Sequence, residues 1–292
     1  MRNLFSLPRF DDRSGFIYVE RAVISVRNGA LQYHDDGGKT VVPIAQFNLI
    51  MLGPGTSISQ EAVKLITQQS TMLAWVGEDG VRCYAHSTGG TFSNKRILHQ
   101  ARMFADPELR RQVARRMYLK RFGEIPDNLS IDQMKGMEGS RVRKLYKTLS
   151  EQHGIEWTGR NYDQSSWGKA NPVNRAISVC NSCLYGICHA AIVAAGYSAA
   201  IGFIHSDYIL SFVLDIADLY KSDVTLPLAF QVAARSEEEI EGRCRHLCRD
   251  HFTKSGILKR IIPDIHEVLD ATDTVKAELS SELQRTAVSI AS

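Results

Sequence analysis

No apolar run in this 292-residue sequence is both uninterrupted and long enough to cross a bilayer. The nearest candidate, 187–204, is broken by His189 and Gly196 and reads as a buried helix followed by a turn. No sustained apolar stretch follows Arg2, so the opening residues do not read as a signal peptide, and the chain is expected to be soluble and cytoplasmic. Gly53-Pro54-Gly55-Thr56 lacks a following Gly-Lys-Ser/Thr, which excludes a phosphate loop and leaves a turn. No internal repeat and no Ser or Cys nucleophile motif stands out. The six cysteines (Cys83, Cys180, Cys183, Cys188, Cys244, Cys248) do not suggest a disulfide framework in the absence of a secretory signal. A zinc site from Cys180, Cys183, Cys188 and His189 would require four side chains of one apolar helix to converge, so the thiols read as small core residues.

What is present is ordinary globular composition, 44% apolar and 23% charged, at a length that suits two domains. The net charge of +3 hides an uneven distribution. Between Lys95 and Lys147 stand fourteen Lys and Arg against six acids, so this span carries +8 and the rest −5. A charge run of this kind is commonly a solvated helix face; a one-sided excess of this size favours a surface for a polyanion.

The expected fold is α+β, with a β-rich, sandwich-like N-terminal domain (1–86), a linker (87–94), an all-helical C-terminal domain (95–283) and a frayed tail (284–292). Short aromatic and β-branched runs at 16–19, 23–26, 31–33, 40–43, 47–52, 72–76 and 81–85 predict strands, separated by turn signals such as Asn28-Gly29 and Asp35-Asp36-Gly37-Gly38. A short amphipathic helix is expected over 59–69. After the polar joint at 86–93 the periodicity is helical: 94–105, 107–122 with Asp106 as N-cap, a stretch from the Ser130–Gln133 capping box to Gly154, and 173–195 stopped by Gly196. Ser211 is expected to cap the next helix, with further helices over 226–235, 237–251 and 264–283.

Three segments carry candidate chemistry. Asp215 and Asp218, three apart, fall on one helix face inside an apolar neighbourhood, where two acids repel and lose hydration unless something neutralises them. A solvated edge explains an isolated pair equally well. His205 ends an apolar approach; ten residues of straight helix would hold it about 15 Å from Asp215. A turn over 206–210 can instead fold it back over the helix start, where the imidazole could join a carboxylate site, although a lone histidine at such a place is more often a satisfied core residue. Glu138 lies between Gly136 and Gly139 in a helical segment, where each glycine costs roughly 1 kcal/mol against Ala and permits close approach of another backbone or of DNA. Arg141 and Arg143 beyond it also fit a surface salt-bridge pattern. Spacing alone does not join these segments.

Glu138-Gly-Ser-Arg-Val-Arg143, Cys183-Leu-Tyr-Gly186, Ala194-Ala-Gly-Tyr197, Ile201-Gly-Phe-Ile-His205 and Ser211-Phe-Val-Leu-Asp-Ile-Ala-Asp218 resemble the CRISPR-associated integrase, the larger subunit of the prokaryotic spacer-acquisition complex, in its subtype I-E branch. The likeness extends to Leu52-Gly-Pro-Gly-Thr56 and Ala74-Trp-Val-Gly-Glu78. It implies an N-terminal β domain that dimerises and a helical domain bearing the active site. By motif, Glu138, His205 and Asp218 would bind Mg2+ or Mn2+, with Asp215 as the adjacent supporting acid of the catalytic set. The implied reaction is attack of a DNA 3′-hydroxyl on a phosphodiester at a CRISPR repeat boundary. Nuclease action on branched DNA follows from the same chemistry. A general repair nuclease and a non-catalytic DNA-binding scaffold are the rival readings.

The implied partners are double-stranded prespacer DNA with 3′ ends, CRISPR repeat DNA, a second copy of the chain and a small adaptation protein. The resemblance assigns DNA contacts to Arg82, Lys135, Arg143, Arg160, Tyr162, Trp167, Tyr185, Lys221, Arg245 and Arg249. The basic residues would hold phosphates, and Tyr162 and Trp167 would stack on bases. Tyr208, Leu214, Arg21 and Ser57 depart from the family pattern, which puts DNA-end bracing and motif selection in doubt and leaves the chemistry intact.

Overall fold

Continuous apolar runs such as 49–52 and Met72–Val76 require a strand buried on both faces, and that requirement sets the architecture. The computed structural model describes residues 15–44, 47–69, 71–77, 83–87, 94–160 and 171–270. Strands β1 (Gly15–Val19), β5 (Phe47–Leu52) and β7 (Met72–Val76) run parallel, and β8 (Cys83–His86) closes their edge antiparallel to β7. A second sheet has the order β4 (Gly38–Val42), β3 (Ala30–Asp35), β2 (Val23–Arg27) and β6 (Ser57–Ile58). Its first hairpin turns at Asn28 and Gly29, with φ of 52° and 76°, the two-residue turn that matches strand twist.

The faces of the first sheet divide the work. Ile50, Leu52 and Leu73 pack with Ile24, Leu31 and Val42 of the second sheet and with Ala62 and Ile66 of α1 (Gln60–Gln68). Leu49, Met51, Met72, Ala74 and Val76 pack the opposite way, onto Ala190 and Ala194 of α5 (Pro172–Ala194). The sandwich-like α+β expectation is borne out, and the β region shares a core with the helices. Most of the expected linker, 88–93, lies outside the described residues, as does everything after 270.

The helices are α2 (Lys95–Ala105), α3 (Pro107–Phe122), α4 (Ile131–His153), α5, α6 (Ser211–Tyr220), α7 (Leu226–Arg235), α8 (Ile240–Ser255) and α9 (Ile257–Val268). Asp106 caps α3 through Glu108 and Leu109 N–H, and the Ser130–Gln133 capping box opens α4 in both directions. Among the described residues α5 alone has the length and hydropathy to cross a membrane, and 72% of its most apolar stretch is buried inside the protein, so it is the core helix. It packs against α6, α7, α8 and α9.

Three expectations change, and a π segment is added between two helices. Ser211 is buried in the first turn of α6 and exchanges hydrogen bonds with Tyr208 backbone, so the cap position belongs to Leu210. A five-residue π segment, Lys221–Thr225, joins α6 to α7; Leu226 N–H bonds Lys221 carbonyl, and Pro227 just beyond has no N–H for an α ladder. Helix α8 starts at Ile240 because Glu239 takes φ of 47°, and its core face of Cys244, Cys248 and Phe252 carries it on to Ser255. Helix α9 starts at Ile257 and holds Pro263 inside it. That ring is on the exposed side, while Ile257, Ile261 and Ile265 bury the opposite stripe.

Candidate active site

Asp215 is fully buried on α6, and an acid there needs partners. It collects four donors: Phe203 N–H at 2.5 Å, Ile204 N–H at 3.1 Å, His205 N–H at 3.0 Å and His205 Nδ1 at 2.7 Å. The turn over 206–210 folds the chain back over the start of α6, the arrangement that the spacing allowed. A carboxylate only accepts, so Nδ1 carries the proton and Nε2 is left as the imidazole's donor atom toward a ligand. The hydrogen bond to Asp215 raises the His205 pKa above its ordinary value, against the opposing effect of burial. Asp215 is therefore a positioning group.

The loop before His205 is itself anchored. Gln100 of α2 is buried and bonds Ser198 carbonyl, Ile201 carbonyl and Ser198 N–H through both ends of its amide. Arg110 Nε donates to Phe203 carbonyl at 3.0 Å. Gly202 fits because a methyl group there would collide with the carbonyl of His205 and with Ser211.

Asp218, one turn on from Asp215, is buried beside two cations. Lys221 Nζ lies 2.5 Å from Oδ1, and Arg121 Nη1 lies 3.9 Å from Oδ2. Burial alone would raise its pKa; Lys221, then Arg121 and His205, overcome that and hold it below the usual carboxylate range. Burial likewise opposes the charge on Lys221, but Asp218 and the Tyr185 hydroxyl hold that ammonium above the ordinary lysine value. Lys221 also sits 4.9 Å from the centre of the Tyr185 ring.

Glu138, about two turns into α4, accepts from Arg121 Nη1 at 2.6 Å and from Tyr118 hydroxyl at 2.9 Å. Burial, with Glu138 beside it, pushes the Tyr118 hydroxyl well above its usual pKa, so it stays a donor. The flanking glycines leave room without using it inside the chain. Nothing lies within 4 Å of a methyl built on Gly136, and the Arg143 guanidinium covers Gly139 at 3.5 Å.

Glu138, Asp218 and His205 thus share one neighbourhood formed by α3, α4, the 198–210 loop and α6. Among the described residues, however, no three His, Cys, Asp or Glu side chains gather closely enough to hold one ion. Glu138 and Asp218 meet through Arg121. Cys180 and Cys183 lie elsewhere, facing Cys244 and Cys248 between α5 and α8 in the core, where thiols pack as small apolar groups, whereas Cys188 is buried within reach of the charges of Lys221 and Asp218.

Of the residues expected at DNA, Lys135 and Arg143 are exposed on α4, and Arg249 is exposed on α8 with Arg245 half-buried a turn away. Arg160 is exposed but ties down Asn174 and Ser178 of α5. Tyr185 and Lys221 belong to the acid cluster. Arg82, Tyr162 and Trp167 lie outside the described residues. Much of the basic span serves the fold: Arg96 bonds Ala195 carbonyl, Arg116 bonds Val268 carbonyl, and Lys120 pairs with Asp264 and Glu267. Tyr118, Arg121, Gln100 and Arg110 escaped the sequence reading. For the first two the signal was available, since they stand three apart on α3 next to the buried face of Val113, Ala114 and Met117.

Comparison with known proteins bears on this arrangement. The sequence pattern of the family described as CRISPR associated protein Cas1 matches residues 16–130 and 118–241. The chain is similar to the CRISPR-associated endonuclease Cas1 2 of Thermus thermophilus, 45% identical over 265 residues that cover 90% of this chain and 82% of that one. It is likewise 45% identical over 262 residues to the CRISPR-associated endonuclease Cas1 of Escherichia coli, covering 89% and 86%. The crystal structure of a TtCas1–DNA complex superposes with a TM-score of 0.81 at 44% identity over 90% of this chain and 99% of that one. With buried acids and an oriented imidazole set in a helical region behind a β sandwich, and with this likeness along nearly its whole length, the chain belongs to the Cas1 family of CRISPR-associated proteins.

Proposed function

We propose that the protein is a metal-dependent DNA endonuclease and integrase of CRISPR adaptation, which inserts short foreign DNA into a repeat array through 3′-hydroxyl transesterification. The observation that carries this reading is the neighbourhood of Glu138, Asp218 and a His205 whose Nδ1 is held by Asp215. The donor set fits the expected ion: two carboxylates and one imidazole Nε2 suit Mg2+, and the nitrogen makes Mn2+ readily accepted. An ion held by Glu138, His205 and Asp218 would supply a Lewis acid at the phosphoryl oxygen of the scissile bond. Asp215 holds the imidazole in one tautomer, and Tyr118 fixes Glu138 by donating a proton it does not lose. Lys221 lends positive charge beside Asp218, where charge builds on phosphate oxygens. One phosphodiester forms as another breaks, and the displaced 3′-oxygen leaves with the proton of the attacking hydroxyl, so no covalent protein intermediate is needed.

DNA enters this reading because the TtCas1 structure is of a DNA complex. Lys135, Arg143, Arg245 and Arg249 are the described side chains proposed to hold phosphates, with Arg82, Tyr162 and Trp167 proposed beside them. A homodimer and a small adaptation protein complete the proposed assembly. Because the similar proteins are called endonucleases, cutting without joining is the second reading. One assay separates them: a short duplex with free 3′-hydroxyls, a supercoiled repeat-bearing plasmid, Mn2+ and the partner protein. Joined products are expected and should fall at least about a hundredfold in Asp218→Asn, the scale of losing a group that organises charge in the transition state. Nicked plasmid with no joined strand would leave the endonuclease reading alone.

A further inference from the structure

Every carboxylate oxygen of Glu138 and Asp218 has a donor or cation of this chain near it. Glu138 Oε1 accepts from Arg121 at 2.6 Å and Oε2 from Tyr118 at 2.9 Å. Asp218 Oδ1 lies 2.5 Å from Lys221 Nζ, and Oδ2 lies 3.9 Å from Arg121. One guanidinium therefore spans the two acids. Its side chain is only 4% exposed. Tyr118 and Phe122 shelter it, with the Phe122 ring centre 4.7 Å from Cζ. Its Nε is buried with no hydrogen-bond partner, which marks a group held for its charge at the expense of its own satisfaction.

We infer that Arg121 is a resident counter-cation, and that a divalent ion binds Glu138 and Asp218 only by displacing its guanidinium. This rests on the metal reading proposed above. Glu138 is part-buried and Asp218 buried, and Lys221 pairs only with Asp218, so Arg121 is the cation that lies between the two acids and offsets their repulsion. A single nitrogen, Nη1, lies near both carboxylates, and the planar guanidinium pressed on the Phe122 ring holds it there more rigidly than the flexible stem of a lysine would. The same bridge then competes with the ion and sets the concentration at which the site loads. It also keeps the acids from closing on a centre until an ion is offered, which accounts for the absence of three gathered ligands among the described residues.

The test measures Mn2+ binding to the full chain without DNA, by the electron paramagnetic resonance of free Mn2+ at about pH 8, where unpaired carboxylates are ionised. Wild type, Arg121→Met, Arg121→Lys and Asp218→Asn are compared. Arg121→Met should bind Mn2+ about tenfold more tightly or better, a difference of about 1.4 kcal/mol. In a chelator it should melt below wild type, and Mn2+ should raise its melting temperature by more than it raises that of wild type. Should Arg121→Met fail to fold without metal, Arg121→Lys decides: affinity between the two supports the bridge. Affinity in either arginine variant equal to or weaker than wild type overturns the inference while the metal reading stands. Mn2+ binding that is absent, or unchanged in Asp218→Asn, removes the metal reading and this inference with it.

Discussion

Asp215 and Asp218 are chemically the same residue one helical turn apart, and their surroundings give them different tasks. Asp215 meets three backbone N–H groups and an imidazole; Asp218 meets an ammonium and a guanidinium. Removing the first leaves four donors facing an apolar hole, whereas neutralising the second takes one partner from two cations, of which Arg121 keeps Glu138. Asp215→Ala is therefore expected to cost about 3–5 kcal/mol of stability, the range for breaking a buried charged pair, and to abolish activity because His205 loses its orientation. Urea unfolding read alongside the joining assay checks this. A loss below about 1 kcal/mol, the value of one ordinary hydrogen bond, would show that Asp215 does not organise the loop. Sequence spacing placed these acids on one face but was silent about which one faces the backbone, because that depends on where residues 203–205 return.

At the scale of elements, local chemistry was legible wherever a side chain acts on its own neighbours. Asp106, the Ser130–Gln133 box, Asn28-Gly29 and Gly154 act within four residues, and the structure has them as read. What escaped depends on tertiary packing. Strand β6 is two residues long and exists because Val23 and Ile24 offer it an edge. Helix α9 keeps Pro263 because its buried isoleucine stripe outweighs the missing N–H. The π segment places Lys221 at the junction where α6 gives way to α7, beside Asp218. The 198–210 loop is the other element no periodicity could show, and Gly202 is its tightest point. Gly202→Ala should displace the loop by crowding the His205 carbonyl. The expected result is a loss of about 1–3 kcal/mol, as for overpacking, and a fall in activity larger than the stability loss explains at a temperature where the variant is folded. Wild-type activity in that variant would refute the close fit.

On the scale of the whole molecule, the candidate site draws on α3, α4, the loop and α6, so residues about a hundred positions apart had to be joined by resemblance rather than by pattern. Arg121 was legible only as one charge in a basic span, since its partners lie on two other helices. The same holds where the β region meets the helices. There Ala190 and Ala194 of α5 accept the sheet, and His189 beside them meets His86 of β8 edge-on, ring centres 6.1 Å apart. Burial first, and the nearby His86 second, hold His189 below the ordinary histidine pKa. The folded protein thus favours the neutral ring more than the unfolded chain does. The contribution of His189 to stability is then complete above the unfolded value of about 6.5 and is lost as pH falls through the lower folded value. Wild type should lose more stability between about pH 7.5 and 5.5 than His189→Gln, whose side chain does not titrate. Urea midpoints at the two pH values measure the difference. Equal losses in both proteins would mean that the joint between sheet and core helix does not sense protons through His189.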